Sequence, residues 1–335
     1  MTTVFVSHPQ DKLAHYFGDR ATAALQAIAD VRFNPGDTDL SSRELAALAQ
    51  DCEVIISYRQ TLGDEALFAA LPQLLAFVRC AIDIRNIDIS AASRHGVLVT
   101  QASAGFIVSV SEWIIGVMID LSRHISASTA LYHTGHPVAP RMGRELRGAT
   151  LGVIGYGQIS RYLCDVALAL GMRIVVSDPH TPTGRKELVQ TSLTQLLQQS
   201  DYVVCLAAAT EATESMMNAQ AFAAMKPGAF FINASRGNLV DEEALLAALD
   251  AGSLAGCAVD VGRAPDQMPS PRVAAHPRVI ATPHIGGLTP PAVEHQALET
   301  VAQVAEILQG RTPQGAVNAR QAHRWRQAFS VPQAA

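Results

Sequence analysis

Three side chains able to bind an anion or move a proton stand just beyond apolar runs in the last third of the chain. Arg236 follows Ala229–Asn233 in AFFINASRG, Asp260 closes AGCAVD, and His284 follows Val279–Ala281 in VIATPHIGG, where Pro283 braces it and Gly286 and Gly287 come after it. Short apolar runs bounded by turn residues read as buried parallel strands. In doubly wound sheets, ligands sit beyond the carboxyl ends of the strands. An arginine there can grip a carboxylate through paired charged hydrogen bonds. A histidine there can exchange a proton near neutral pH. Each residue alone has a plainer reading, as loop cation, helix cap or turn histidine. Their shared placement favours chemistry.

The positioning elements centre on residues 151–178, LGVIGYGQIS through to Asp178. An apolar strand runs into Gly155-Tyr156-Gly157-Gln158-Ile159-Ser160, a helical apolar repeat follows, and a second strand ends at Asp178. This is a βαβ unit of the dinucleotide-binding kind. Gly155 permits the turn, and Gly157 lets backbone amides approach a pyrophosphate at the helix N-terminus. Asp178 stands where an acid binds the ribose hydroxyls and repels a 2′-phosphate, so NAD is expected over NADP, with Pro179 and His180 near the adenine ribose. Ser160 replaces the third glycine of the pattern, a packing position that tolerates a small residue.

The rest of the chain supplies two layered domains. At 335 residues it is long enough for two cores, and its 49% hydrophobic but 5% aromatic composition suits Ala/Val/Leu-rich α/β layers. Apolar strands at Thr3–Val6, 31–33, Val54–Ser57, 75–80 and 97–100 alternate with helices at 21–29, 41–49 and Glu65–Ala70, which predicts a flavodoxin-like parallel sheet. Residues 103–123 read as a long, mostly apolar helix carrying the chain into the second domain, and 124–147 as an irregular segment in which His133 and His136 are ordinarily solvated. Six strands predict the second sheet: 151–154, Arg173–Ser177, 202–206, Ala229–Asn233, 257–259 and Val279–Ala281. Helices at Leu193–Gln199 and 242–251 lie between them. A final amphipathic helix, 292–308, returns to the first domain, and the tail after Asn318 is unassigned. The fold class is therefore α/β, two doubly wound parallel-sheet domains. Residues 1–101 with 287–335 form a substrate domain and 102–286 a Rossmann NAD-binding domain.

Net charge −5 gives no electrostatic reason to expect nucleic acid or an anionic membrane as partner. The 5 cysteines match neither a zinc spacing nor a disulfide framework, so buried reduced thiols are expected and no metal site. The start MTTVFVSHPQ lacks the basic and apolar regions of a leader, and no apolar stretch is long enough to span a bilayer. A cytoplasmic protein is expected.

At this point the chain resembles the D-isomer-specific 2-hydroxyacid dehydrogenases. The segments that carry the resemblance are GYGQIS with Asp178, ATEATESMMN, FAAMKPGAFFINASRGNLVDEEAL, AGCAVDV and TPHIGG. NIDISAASRHGVLVT and SVSEW extend it more weakly, over 75–318 in all. The resemblance implies that Arg236 holds the substrate carboxylate and polarises its carbonyl, that His284 is the general acid/base, and that Asp260 contacts the nicotinamide carboxamide. It implies further cofactor contacts from Ser109, Gly155, Gly157, Gln158, Ile159, Asp178, Pro179, Thr213, Ala234, Arg236, His284 and Gly287, and a homodimer through 103–123. The partner is a small-molecule carboxylate substrate.

Three departures from the family pattern stand out. The family's third catalytic residue, a glutamate shortly after the aspartate of AGCAVD, is missing. Ala264 or Pro265 takes its place, and the nearest acid, Asp266, could serve only through a rerouted loop. A glutamate beside a histidine raises the imidazole pKa and fixes its tautomer, so its loss is expected to shift a pH optimum rather than abolish hydride transfer. In the substrate loop Ala81 and Asp83 replace glycines around Ile82, and Asp83 beside an anionic substrate needs an offsetting cation, Arg85 or Arg59. Tyr58 and Arg59, at the end of an earlier strand, could reach the substrate. These changes point away from lactate and 3-phosphoglycerate, toward a substrate that is larger or carries polar hydroxyls. The leading expectation is NAD-dependent interconversion of a 2-hydroxy acid and a 2-keto acid. The alternatives are an NAD-using lyase, dehydratase or isomerase without net redox, and a non-catalytic NAD-sensing binding protein.

Overall fold

The computed structural model describes residues 2–329. They form two units, one from the chain up to Gly105 and from Pro290 onward, the other spanning Phe106–Thr289.

In the first unit, strands β1 (Thr3–Val6), β2 (Asp30–Phe33), β3 (Val54–Ser57), β4 (Ala76–Arg79) and β5 (Leu98–Gln101) pair in parallel in the order β2-β1-β3-β4-β5. That is the flavodoxin-like order. Side chains alternate across the sheet with the strand period of two. Val4, Val6, Val54, Ile56 and Val78 enter one core, while Phe5, Ile55 and Phe77 enter the other. Helix Ser42–Leu48 begins at Ser41, which makes a reciprocal capping box with Glu44. Helix Pro290–Leu308 covers the first face with Ala297, Val301, Val304 and Ile307. The tail adds helix His323–Phe329, whose buried Trp325 donates to the Ile307 carbonyl at 3.2 Å. Residues 330–335 of that tail lie outside the described residues. Helices Gln10–Tyr16 and Ile89–Arg94 were not read from sequence, since one or two turns are too short for an apolar period.

The second unit holds seven strands where six were expected: β6 (Thr150–Ile154), β7 (Arg173–Ser177), β8 (Leu188–Gln190), β9 (Tyr202–Cys205), β10 (Ala229–Asn233), β11 (Leu254–Val259) and β12 (Val279–Ala281). All are parallel, in the order β12-β11-β10-β9-β6-β7-β8. The unforeseen β8 is a short edge strand with two exposed side chains, so it lacks the apolar run of its neighbours. The order reverses between β6 and β9, the switch point at which doubly wound sheets bind ligands. Helix Ile107–Arg123 lies within this unit and buries Val110, Ile114, Met118 and Leu121. The segment expected to be irregular instead begins with helix Ile125–His133. None of its residues is buried, so no apolar stripe announces it, and His124, left-handed at φ 56°, separates it from the preceding helix. All five cysteines are buried and unpaired. Among the described residues no helix is long and apolar enough to cross a membrane.

Candidate active site

The turn after β6 separates the two roles a glycine can have. Gly155 has φ 89°, and a Cβ there would lie 2.8 Å from the Ala207 backbone, so the fold itself requires glycine. Gly157, the N-cap of helix Gln158–Ala169, has an ordinary φ of −80°, and nothing lies within 4 Å of where its Cβ would be. Its missing side chain leaves open space in front of a helix N-terminus, which suits a pyrophosphate approaching the backbone amides.

Asp178 follows β7. Its Oδ2 accepts from the Tyr156 amide at 2.7 Å and its Oδ1 from the His180 and Thr181 amides at 2.8 Å each. Partial burial acts to raise its pKa, but the backbone donors outweigh it and hold the carboxyl below its ordinary value. Asp178 is thus an ionised, oriented acid tied to the glycine turn.

The other expected cofactor contacts have the following surroundings. Thr213 ends a 3-10 turn after β9, with its Oγ1 donating to the Ala208 carbonyl at 2.8 Å. Ala234 follows β10, and its amide donates to the Cys205 carbonyl at 3.4 Å. Gln158 is exposed and Ile159 half-buried, both in the first helical turn. Pro179 is exposed beside Asp178. Ser109 and Thr289 share a 2.7 Å hydroxyl hydrogen bond, a pair not foreseen from the sequence. Gly287 packs so closely on Phe106 that an added Cβ would lie 3.0 Å from it.

Arg236, Asp260 and His284 follow the neighbouring strands β10, β11 and β12. Asn233, the last residue of β10, donates through Nδ2 to the Arg236 carbonyl at 2.9 Å, and its Oδ1 accepts from the Ser235 amide at 3.1 Å. This local loop sets the backbone of half-buried Arg236, and Nη1 donates to the Ser235 carbonyl at 2.8 Å. Asp260 is buried. Its Oδ1 accepts from Thr282 Oγ1 at 2.6 Å and the Ile285 amide at 2.8 Å, and its Oδ2 from the Gly286 amide at 2.8 Å. The aspartate therefore clamps the loop on both sides of His284, a bracing role the sequence did not disclose. His284 is held at φ 56°, and its Nδ1 lies 3.1 Å from the Asp266 carbonyl. A carbonyl only accepts, so Nδ1 carries the proton and Nε2 is the basic nitrogen.

In the first unit, the residues expected to meet substrate gather after β3 and β4. Tyr58 is buried, its amide donates to Ser7 Oγ at 2.8 Å, and its ring meets His8 and Tyr16 edge-on. The Arg59 guanidinium lies 5.7 Å from the Tyr16 ring centroid. Asp83 is offset by Arg85, which contacts both of its carboxylate oxygens, at 3.0 Å through Nε and 2.7 Å through Nη2. Ala81 is half-buried and accepts from the Ala102 amide, while Ile82 is exposed. Buried Arg79 was missed: Nε donates to the Asp83 carbonyl at 2.9 Å and Nη1 to the Ser57 carbonyl at 3.2 Å, tying the loop to the end of β3. Burial lowers its pKa to about 10. A lone arginine closing the apolar run AFVR was the available signal. His133 and His136 are exposed, away from any of these groups in the described contacts.

The family model for the NAD binding domain of D-isomer specific 2-hydroxyacid dehydrogenases matches residues 115–286. A D-3-phosphoglycerate dehydrogenase of Synechocystis is 31% identical over 298 residues, covering 88% of this chain and 53% of that protein. The chain thus spans about half the length of such relatives. An (S)-sulfolactate dehydrogenase of Chromohalobacter salexigens is 33% identical over 301 residues, covering 88% of this chain and 97% of that one. The structure of D-2-hydroxyisocaproate dehydrogenase superposes with a TM-score of 0.83 at 22% identity, covering 95% of this chain and 100% of that one, a likeness of fold.

Proposed function

Because the chain belongs to the D-isomer-specific 2-hydroxyacid dehydrogenase family, we propose that it interconverts a 2-hydroxy acid and a 2-keto acid by hydride transfer, with NAD as cofactor. Bound NAD supplies the hydride acceptor or donor. Arg236 holds the substrate carboxylate and draws electron density from the neighbouring carbonyl. His284, protonated at Nδ1, takes the 2-hydroxyl proton on Nε2 during oxidation and returns it during reduction. Asp260 keeps the His284 loop in place. Ser109, Gly155, Gly157, Gln158, Ile159, Asp178, Pro179, Thr213, Ala234 and Gly287 line the cofactor. Tyr58, Arg59, Ala81, Ile82 and Asp83 contact the substrate.

The observation that carries this reading is the placement of Arg236 and His284 beyond β10 and β12, in one sheet with the glycine turn and Asp178. The departures in the substrate loop favour an acid with further polar groups, so the substrate panel includes sulfolactate and polyhydroxylated 2-hydroxy acids beside lactate and 3-phosphoglycerate. The test is one-to-one formation of NADH with a member of that panel. Arg236→Ala and His284→Ala should each cost about 10²-fold or more in kcat/KM. Full turnover by both variants refutes the assignment.

Two coarser features complete the proposal. A homodimer through helix Ile107–Arg123 and its continuation is supported by exposed Val108, Ile119, Ile125, Leu131 and Tyr132, and light scattering of the purified chain checks it. A cytoplasmic setting is supported by the five buried, unpaired cysteines, and cell fractionation checks it.

A further inference from the structure

We propose that the 262–268 loop is a backbone-built replacement for the missing glutamate, with the Asp266 carbonyl holding the His284 imidazole in its orientation and tautomer. The inference rests on the acid/base reading of His284. Its first support is the 3.1 Å contact from Nδ1 to the Asp266 oxygen. The second is the way the chain reaches that position. Asp266 and Gln267 are consecutive left-handed residues at φ 58° and 57°, a conformation non-glycine residues rarely adopt twice running. The reversal is closed by hydrogen bonds from the Gly262 amide to the Gln267 carbonyl at 2.8 Å and from the Ala264 amide to the Met268 carbonyl at 3.1 Å.

The loop is also anchored from outside. A Cβ on Gly262 would lie 2.5 Å from Pro269 Cα, and a Cβ on Gly237 would collide with the Gly262 carbonyl, so three backbone segments stack with no room for side chains. Arg263 fastens the loop further. Its Nη2 donates to Glu214 at 2.7 Å, Ser215 Oγ at 3.1 Å and the Asn238 carbonyl at 3.0 Å, while Nε donates to the Val240 carbonyl at 3.2 Å. On the other side Asp260 clamps Thr282, Ile285 and Gly286. The imidazole is thus oriented between two fixed backbones. A carbonyl selects the same Nδ1–H tautomer that a carboxylate would.

The test uses full-length protein with ¹⁵N-labelled histidine, reading the His284 tautomer by NMR beside kcat and KM. Asp266→Asn keeps the carbonyl and tolerates the left-handed backbone. It should keep His284 protonated at Nδ1, whatever kcat and KM do. A β-branched residue resists φ near 58°, so Asp266→Val should lose the tautomer preference and lower kcat by about 10²-fold, with Asp266→Gly restoring both. If Asp266→Asn itself switches the tautomer, the carboxylate is the partner and the proposal is overturned. Unchanged tautomer and kcat in Asp266→Val overturn it as well, and should that variant not fold, the Asn and Gly variants still decide. Because the tautomer is read without turnover, a correct tautomer alongside full activity in His284→Ala would refute the acid/base reading and leave the loop assignment standing.

Discussion

Acid should destabilise the first unit through His8. This histidine follows β1 and is 2% exposed, set between the rings of Phe17 and Tyr58 at centroid distances of 5.5 and 5.2 Å, and its Nδ1 has no partner among the described residues. Burial, with the nearby Arg79 charge adding to it, lowers its pKa from 6.5 to about 3. The folded unit therefore keeps the ring neutral at any pH where the protein is handled, while the unfolded chain takes up a proton below 6.5. Stability is full above that value and is lost as pH falls toward 3, at about 1.4 kcal/mol per pH unit once below it. Between pH 7 and pH 5 the loss attributable to His8 is about 2 kcal/mol. For a unit of this size that is a fall of about 4–8 °C in Tm. Trp325 is buried in the first unit and Trp113 lies in the second, so a Trp113→Phe background makes Trp325 fluorescence the report on the first. Thermal unfolding at pH 7, 6 and 5 is compared with and without His8→Leu, which removes the titrating ring. The wild-type curve should steepen toward acid relative to the variant. Parallel curves across that range would show that His8 takes up its proton in the folded state, and the burial argument would fail.

Gly155→Ala and Gly157→Ala should part company. The first forces a Cβ at φ 89° into the Ala207 backbone and should cost roughly 1–3 kcal/mol in unfolding experiments, whereas the second should leave stability alone and weaken NAD binding measured by titration calorimetry. Asp178→Asn removes the charge and turns an NH2 toward a backbone amide that now donates to the carboxylate, so the ratio of kcat/KM for NAD over NADP should fall by about tenfold or more. Asp260→Asn turns an amide NH2 toward backbone or hydroxyl donors it cannot satisfy. It should lower stability by roughly 1.5–3 kcal/mol and reduce kcat at saturating substrate, checked by thermal melts and steady-state kinetics together.

Much of the architecture was readable because parallel sheets buried on both faces announce themselves as apolar runs. β1, β3, β7, β10 and β12 have the bounds that their runs predict, and the parallel βαβ order follows from the alternation with helices. What escaped had too little burial or too few turns to leave a pattern. β8 has one buried residue in three, helix Ile125–His133 has none, and helix Gln10–Tyr16 has none.

The site divides along a different line. Arg236, His284 and Asp178 are legible because a charged or titratable residue just beyond an apolar strand is conspicuous in one dimension. The group that faces His284 Nδ1 is not legible in this way. Asp266 is the nearest acid in the sequence, one that only a rerouted loop could bring into use. The loop is rerouted, through two left-handed residues, but what it presents to His284 Nδ1 is a main-chain carbonyl. Every residue type carries that atom, so composition and spacing cannot mark it. Only the supports leave a trace in the sequence: Gly237 and Gly262, which let backbones touch, and Arg263, which ties the loop to Glu214. A position that has lost its expected side chain is therefore better examined for glycines and an anchoring charge nearby than for a displaced copy of the missing group.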